Sequence, residues 1–204
     1  MTDIMTIAKQ RAEKFDVKNV LVATNSGTSV RRAYETFGPQ YKIFAVGNPA
    51  SAYERGLVLH SGISEETQRS LEQKGIKVIL QDQSIFQKPG LSFMGVSLQE
   101  VICNVSPNGR FNAISITYNV LQLFSDGPRV CLEIALMAAD SGELPLDADC
   151  VSIASPSSYC DLPDAAVILR PAKSENIFKG ELRIKDVVLC PTSNDVWFTN
   201  GPLP

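Results

Sequence analysis

The chain has 204 residues, of which 44% are hydrophobic and 20% charged, and its formal net charge is −3. This composition is typical of a globular protein with a sizeable core, and it excludes a disordered chain. The small negative charge argues against a general nucleic-acid binder, because such proteins carry a basic face. We expect one domain over residues 1–191 and a C-terminal arm over 192–204.

The cysteines and the N-terminal residues together predict where in the cell the protein is found. The five cysteines are widely spaced without a CxxC pair, and the chain has one histidine. This pattern predicts reduced thiols and no metal site. Charged residues stand where a signal peptide needs an apolar core, and no apolar run is long enough to span a membrane. We therefore expect a soluble cytoplasmic protein with no membrane partner.

The first half of the chain alternates predicted helices and strands. Apolar residues at helical spacing indicate helices, and short apolar runs indicate strands that are buried on both faces of a sheet. In chain order these are a helix over 3–15, a strand at Asn19–Ala23, a helix over 29–37, a strand at Lys42–Val46, a helix over 64–74 with Ser64 as its N-cap, and a strand over 76–80. The alternation predicts a parallel sheet with right-handed crossovers.

The second half predicts a different arrangement. The predicted elements are helices over 112–124 and 130–139, separated by a break at 125–128, and strands at Cys150–Ala154, 165–169 and 184–190. The helix over 130–139 is apolar nearly all round, so it should be deeply buried. No helix between the last three strands is long enough for a crossover, which favours antiparallel pairing there. The predicted fold is α/β, a three-layer α/β/α arrangement with a mostly parallel sheet and antiparallel strands at its C-terminal end.

A polar turn joins the first predicted strand to the next helix. It consists of Thr24, Asn25, Ser26, Gly27, Thr28 and Ser29, and we call it the 24–29 turn. A helix that begins after a buried strand presents backbone N–H groups and a positive dipole end, which favour phosphate or sulfate. The hydroxyl groups of the turn add hydrogen-bond donors, and Arg31 and Arg32 add positive charge. Gly27 allows the backbone to approach the ligand closely. The alternative is that Thr28 or Ser29 serves only to cap the helix, and the spacing leaves both interpretations open.

Four segments resemble a known family. They are 24–29, 131–142, 164–176 and 188–191, and their order and spacing cover nearly the whole chain. Together they are similar to a stand-alone family related to the C-terminal α/β domain of pyruvate kinase, whose members are mostly uncharacterised archaeal and bacterial proteins. The resemblance implies that fold, and it implies a phosphorylated small molecule held at the 24–29 turn. Flavin mononucleotide (FMN) is a candidate cofactor, and we expect a homo-oligomer.

The resemblance also assigns further ligand contacts. In the related pyruvate kinase domain, a later glycine-rich loop helps to close the phosphate site. Its counterpart here implies cofactor contacts from Ser155, Ser157, Ser158 and Asp164. The counterpart loop, 154–163, lacks glycine, so we expect Pro156 or Tyr159 to occupy part of the space of a flavin ring.

Histidines at three places of the family pattern are absent from this chain. Asn48-Pro49 stands in place of a His-His pair, a Thr-His pattern is lost around Asp82, and Lys173 replaces the histidine of a Pro-Ala-His-Ser run. The missing imidazoles weaken the case that this chain performs acid–base chemistry of the family's kind.

Other reactive side chains have structural alternatives. Glu133 lies within an apolar helix and is either a site residue or a partner of a basic group. Asp164 and Lys173 flank a strand and would form either a salt bridge or part of the site. His60 has no catalytic partner in sequence, and Cys131 is expected in the core. No pair of nucleophile and general base emerges, so the sequence leaves open whether this is an enzyme.

Three hypotheses of function follow. The first is a small-ligand-binding α/β protein that holds a phosphorylated molecule at the 24–29 turn. The second is a flavin-dependent oxidoreductase, in which the cofactor supplies the redox chemistry. The third is a detached regulatory or interaction domain without a ligand.

Overall fold

A computed structural model describes residues 3–48, 62–82, 84, 116–117, 120–121, 123–124, 126–155 and 163–189. These ranges include the helices α1 (Ile4–Lys14), α2 (Thr28–Phe37), α3 (Glu65–Glu72) and α4 (Asp126–Asp140). The strands are β1 (Asn19–Ala23), β2 (Lys42–Val46), β3 (Lys77–Ile79), β4 (Cys150–Ala154), β5 (Ala165–Arg170) and β6 (Arg183–Leu189). Strands β1, β2 and β4 have the predicted bounds residue for residue.

The six strands form one mixed sheet. Their order is β3-β2-β1-β4-β5-β6, and the first four of these strands, β3, β2, β1 and β4, run parallel to one another. Strand β5 is antiparallel to β4, with Ala154 opposite Ala165, and β6 is antiparallel to β5. The predicted antiparallel pairing of the C-terminal strands is therefore confirmed, because their short connections allow only a reversal of direction.

Helices cover both faces of the sheet. On one face α4 packs its buried stripe, including Cys131 and Leu136, against side chains such as Leu21 and Leu169. On the other face α1, α2 and α3 pack against the alternate residues of the same strands, Val20 and Val22 among them. Successive side chains of β1 point to opposite faces of the sheet, so they belong to two separate cores. The α/β class and its three layers are confirmed.

Two helices begin differently from the prediction. Helix α4 begins at Asp126, inside the predicted break at 125–128, so that Pro128 lies in its first turn. Proline is tolerated there because its missing N–H would have no intrahelical acceptor. Helix α2 begins at Thr28, with Gly27 in the left-handed conformation as N-cap, so neither Thr28 nor Ser29 is the cap. For α3 the predicted cap is confirmed: the Ser64 side chain accepts a hydrogen bond from the Thr67 N–H.

Several predicted segments lie outside the described residues. These are most of the helix over 112–124, the loop positions 156–162, His60, Cys160, and the arm over 192–204. Within the described part of the chain, no helix combines the length and the apolar character that crossing a membrane requires.

Candidate functional site

The strand order changes direction between β1 and β4, whose carboxyl ends lie at the same edge of the sheet. From β1 the chain proceeds by α2 to β2 on one side, whereas β4 joins β1 on the other side. Helix α2 covers one face and α4, which leads into β4, covers the opposite face. This is a topological switch point, the place where open α/β sheets bind ligands.

Candidate residues from distant parts of the sequence meet at this edge. Thr24 and Asn25 follow β1, and Ser155 follows β4. Asp164 precedes β5, whose antiparallel direction brings its first residue to the same edge, and the Asp164 N–H donates to the Ala154 carbonyl at 3.1 Å. Ser157 and Ser158 lie outside the described residues.

Hydrogen bonds within the 24–29 turn occupy part of its donors. The Gly27 N–H donates to Thr24 Oγ1 at 2.9 Å, and the Thr28 N–H donates to Ser26 Oγ at 3.2 Å. The Ser26 hydroxyl in turn donates to Thr28 Oγ1 at 2.9 Å. Thr24 and Ser29 are buried, whereas Ser26 and Thr28 are exposed. The residues of the turn therefore divide into buried ones that shape it and exposed ones that face solvent.

Gly27 has a structural role that the sequence did not show. Its φ of +84° belongs to the left-handed region, which favours glycine. A Cβ atom added there would lie 2.7 Å from the Thr67 methyl group of α3 and 3.5 Å from Nη1 of Arg31. Glycine therefore permits the contact with α3. The Arg31 guanidinium lies beside the turn.

Asn48 links the neighbouring strand to the turn. Its side-chain amide donates to Oδ1 of Asn25 at 2.6 Å, which joins the segments that follow β1 and β2. Sequence reasoning treated Asn48 only as the loss of a histidine. The signal that would have revealed it is its position directly after a predicted parallel strand, since the carboxyl ends of such strands meet at one edge.

Asp164 is a buried carboxyl group with an unusual environment. Its exposed fraction is 3%, and its Oδ1 has no hydrogen-bond partner among the described residues. Burial raises its pKa to about 6, against an ordinary value of 3.8; its own backbone N–H opposes this shift and the Asp126 charge adds to it. Raised carboxyl pKa values in crevices are typical of functional sites.

The expected alternative of a bridge between Asp164 and Lys173 is wrong. The two residues lie beyond opposite ends of β5, whose six residues span Ala165–Arg170. A strand of that length extends for about 20 Å, so the two side chains cannot meet across it.

A buried charge network lies in the first turns of α4. The Arg129 guanidinium donates to both carboxylate oxygens of Asp126, at 2.6 and 2.9 Å, and to Glu133 Oε2 at 2.7 Å. The Ser84 hydroxyl donates to the other oxygen of Glu133. The interpretation of Glu133 as a structural partner of a basic residue is therefore confirmed. The pair compensates the cost of burying each charge.

Cys131 is a core residue, as predicted. Its thiol donates to the Ser152 carbonyl at 3.2 Å, while the Ser152 hydroxyl donates to the Cys131 carbonyl at 2.7 Å. Burial raises the pKa of the thiol far above its ordinary value. The thiol therefore stays protonated and is a poor nucleophile.

Gly127 brings α4 into contact with the Asp164 side chain. A Cβ atom added to Gly127 would overlap Asp164 Oδ1 and would lie 2.6 Å from Ala165 Cβ. We expect Gly127→Ala to lower the free energy of unfolding by about 1–3 kcal/mol, because the new methyl group would force α4 and the start of β5 apart. Urea unfolding measures this. Gly47→Ala is the matched control, since its new methyl group meets the end of the exposed Leu80 side chain, which can move. Equal losses in both variants would contradict close packing at Gly127.

The comparisons with known proteins are limited. No protein-family model matches the chain. Among solved structures, the chain resembles Cryptosporidium parvum pyruvate kinase in complex with ADP, with a TM-score of 0.32 and 11% sequence identity. The match covers 94% of this chain and 24% of the pyruvate kinase chain, so this protein spans about a quarter of that enzyme's length. This is a distant structural resemblance to pyruvate kinase.

Proposed function

We propose that the protein binds a small phosphorylated molecule at the 24–29 turn. The observation that carries the proposal is the place of this turn: it joins an inner strand to the N-terminus of α2, at the switch point of the sheet. The first N–H groups of a helix lack intrahelical acceptors and carry the positive end of its dipole. An anion bound there would be stabilised by both.

Three side chains are suited to contact the anion. The Ser26 and Thr28 hydroxyls are exposed and already oriented by the hydrogen bond between them. Arg31 lies in the first turn of α2 with its guanidinium beside Gly27, so it supplies a positive charge at the same place. Thr24 and Ser29 are buried and hold the turn in shape.

FMN is the candidate cofactor within this proposal. Its phosphate end fits the residues present, because Ser26, Thr28 and Arg31 combine hydroxyl donors with a cation. A bound flavin would supply hydride transfer, which would make the protein a flavin-dependent oxidoreductase, the second candidate function. Membership of the stand-alone family related to pyruvate kinase, a cytoplasmic location and a homo-oligomeric state belong to the same proposal. Mass spectrometry of small molecules released from the denatured protein would identify the natural ligand.

Removing the Thr28 hydroxyl tests the phosphate site. We expect Thr28→Val to weaken the binding of inorganic phosphate and of FMN at least about 10-fold, because a charge-assisted hydrogen bond contributes about 1.5–3 kcal/mol. Valine keeps the shape of the side chain, and Thr28 is exposed, so the fold should be retained. Calorimetric titration of wild type and variant measures the difference in affinity.

The control lies at the other end of the same helix. Thr36 donates its hydroxyl to the Arg32 carbonyl, and Thr36→Val makes the same chemical change away from the turn. Its affinity for phosphate should equal that of wild type. If wild type binds neither phosphate nor FMN, or if Thr28→Val binds both as wild type does, the turn is only a helix start.

A further inference from the structure

A surface cavity lies at the edge of the sheet opposite the 24–29 turn. Its volume is about 430 Å³, and its lining includes three cations, Arg170, Arg183 and Lys185. Arg170 ends β5, whose six residues extend for about 20 Å from the edge that carries the turn. The cavity is therefore a separate place in the fold.

Two guanidinium groups stand side by side in this cavity. Arg170 of β5 and Arg183 of β6 are directly opposite each other in the antiparallel pair. Like charges at opposed positions of two strands repel each other, so each needs a counter-ion. Asp149 supplies one for Arg170, since its Oδ1 accepts a hydrogen bond from Arg170 Nε at 2.6 Å.

A β-bulge adds the third cation. The register passes from Ile168 opposite Asp186 to Leu169 opposite Ile184, which leaves Lys185 without an opposed residue on β5. Bulges re-aim side chains in this way, and the Lys185 ammonium donates to the other oxygen of Asp149. Asp149 therefore serves two of the three cations.

Arg183 has no counter-ion in the part of the chain that the structure describes. Its Nε donates to the Gly180 carbonyl at 3.2 Å, and no ion pair joins it to a described carboxylate. The Glu181 carboxylate, which also lines the cavity, accepts instead from the Asn176 amide at 2.8 Å. The terminal nitrogens of Arg183 are thus available to an anion from solution.

We propose that this cavity binds a small organic carboxylate, whose carboxylate group pairs with Arg183 and whose apolar part lies against Leu146 and Pro171. The planar guanidinium matches a carboxylate in a two-point contact. This inference does not rest on the proposed function, because the 24–29 turn takes no part in it.

The charges favour a monoanion over phosphate. The three cations, together with the carboxylates of Asp149 and Glu181, leave one net positive charge, which a single carboxylate neutralises. A phosphate dianion would add a repulsion from Glu181. It would also find no hydroxyl group among the described residues that line the cavity.

Benzoate tests the site, with benzamide as its uncharged analogue of the same shape. In an NMR titration at pH 7 and low ionic strength, we expect benzoate to shift the backbone amide signals of Gly180 and Glu181. Benzoate should bind at least about 10-fold more tightly than benzamide, because only its carboxylate forms charge-assisted hydrogen bonds. The amide signal of Gly27, at the other edge of the sheet, should not move.

A pair of variants assigns the binding to Arg183. We expect Arg183→Met to weaken benzoate binding at least about 10-fold. Since Arg183 forms no ion pair with a described residue, the variant should keep the urea midpoint of wild type. Arg69→Met is the matched control, because it removes the same charge from an exposed position on α3, outside the cavity. It should bind benzoate as wild type does.

Three results would overturn the proposal: equal binding of benzoate and benzamide, wild-type affinity for benzoate in Arg183→Met, or unmoved signals of Gly180 and Glu181. Inorganic phosphate separates this site from the proposed function, since it should shift Gly27 and leave Gly180 and Glu181 unmoved. Phosphate that shifts Gly180 and Glu181 as strongly as benzoate does would overturn the preference for a carboxylate. Benzoate bound at the cavity, with no phosphate effect at Gly27, would support this site and overturn the proposed function alone.

Discussion

Replacing Arg129 by methionine is expected to lower the free energy of unfolding by about 3–5 kcal/mol. The guanidinium bridges Asp126 and Glu133, and the Glu133 side chain is only 7% exposed. Methionine retains the aliphatic part of the side chain but leaves a buried carboxylate without its cation. Chemical denaturation at pH 7 measures the loss. Adding Glu133→Gln to the variant should restore part of the stability, since it removes the uncompensated charge and keeps an acceptor for Ser84.

The control for this experiment is an exposed pair of the same chemistry. Arg69 and Glu65 form an ion pair one helical turn apart on α3, with exposed fractions of 75% and 87%. Arg69→Met should cost under about 0.5 kcal/mol, because solvent screens the interaction. Similar losses for Arg129→Met and Arg69→Met would show that the network on α4 does not stabilise the fold.

Asp164→Asn is expected to stabilise the folded protein above pH 6. The folded pKa of about 6 exceeds the ordinary 3.8, so the folded state binds a proton more tightly than the unfolded chain does. The free energy of unfolding of wild type should therefore fall as the pH rises from about 4 to about 6, by at most about 3 kcal/mol. Asparagine removes this ionisation and its cost.

The measurement is a series of urea unfolding curves between about pH 4 and pH 8 for wild type and Asp164→Asn. The stability difference between them should be small near pH 4 and should grow to a plateau above pH 6 in favour of the variant. A variant that is less stable than wild type at pH 7 would contradict the burial of an uncompensated carboxylate. A stabilising change at a candidate binding residue would agree with the trade-off between stability and function that such residues show.

The local pattern of apolar and polar residues accounts for most of the helices and strands and for the α/β class of the fold. Apolar runs such as Asn19–Ala23 could be assigned to strands because buried parallel strands need apolar side chains on both faces. Helix starts were less predictable. Gly27 was assigned to a turn and Pro128 to a break between helices, yet Gly27 is an N-cap and Pro128 lies in a first turn. In each case the local preference is compatible with two structures, and packing decides between them.

The candidate site, like the helix starts, was only partly predictable from the sequence. The 24–29 turn was identifiable because a strand, a polar turn with glycine and a helix are contiguous in sequence. Its partners were not: the contact of Asn48 with Asn25 and that of Gly27 with Thr67 join residues 23 and 40 positions apart. The sequence also could not show that Asp164 and Lys173 lie at opposite ends of one strand, since that depends on where the strand ends.

The sequence by itself determined that this is an α/β protein with a polar turn after an inner strand, because composition and periodicity report which side chains must be buried and which backbone groups follow a strand. Only the tertiary structure decided what meets that turn. The antiparallel pairing of β5 with β4 carries Asp164 to the carboxyl edge, and the crossing of α4 over the sheet places Gly127 against it. Such contacts depend on strand order and direction, which short-range patterns do not encode, and they place a buried carboxyl group at the edge of the sheet that also carries the 24–29 turn.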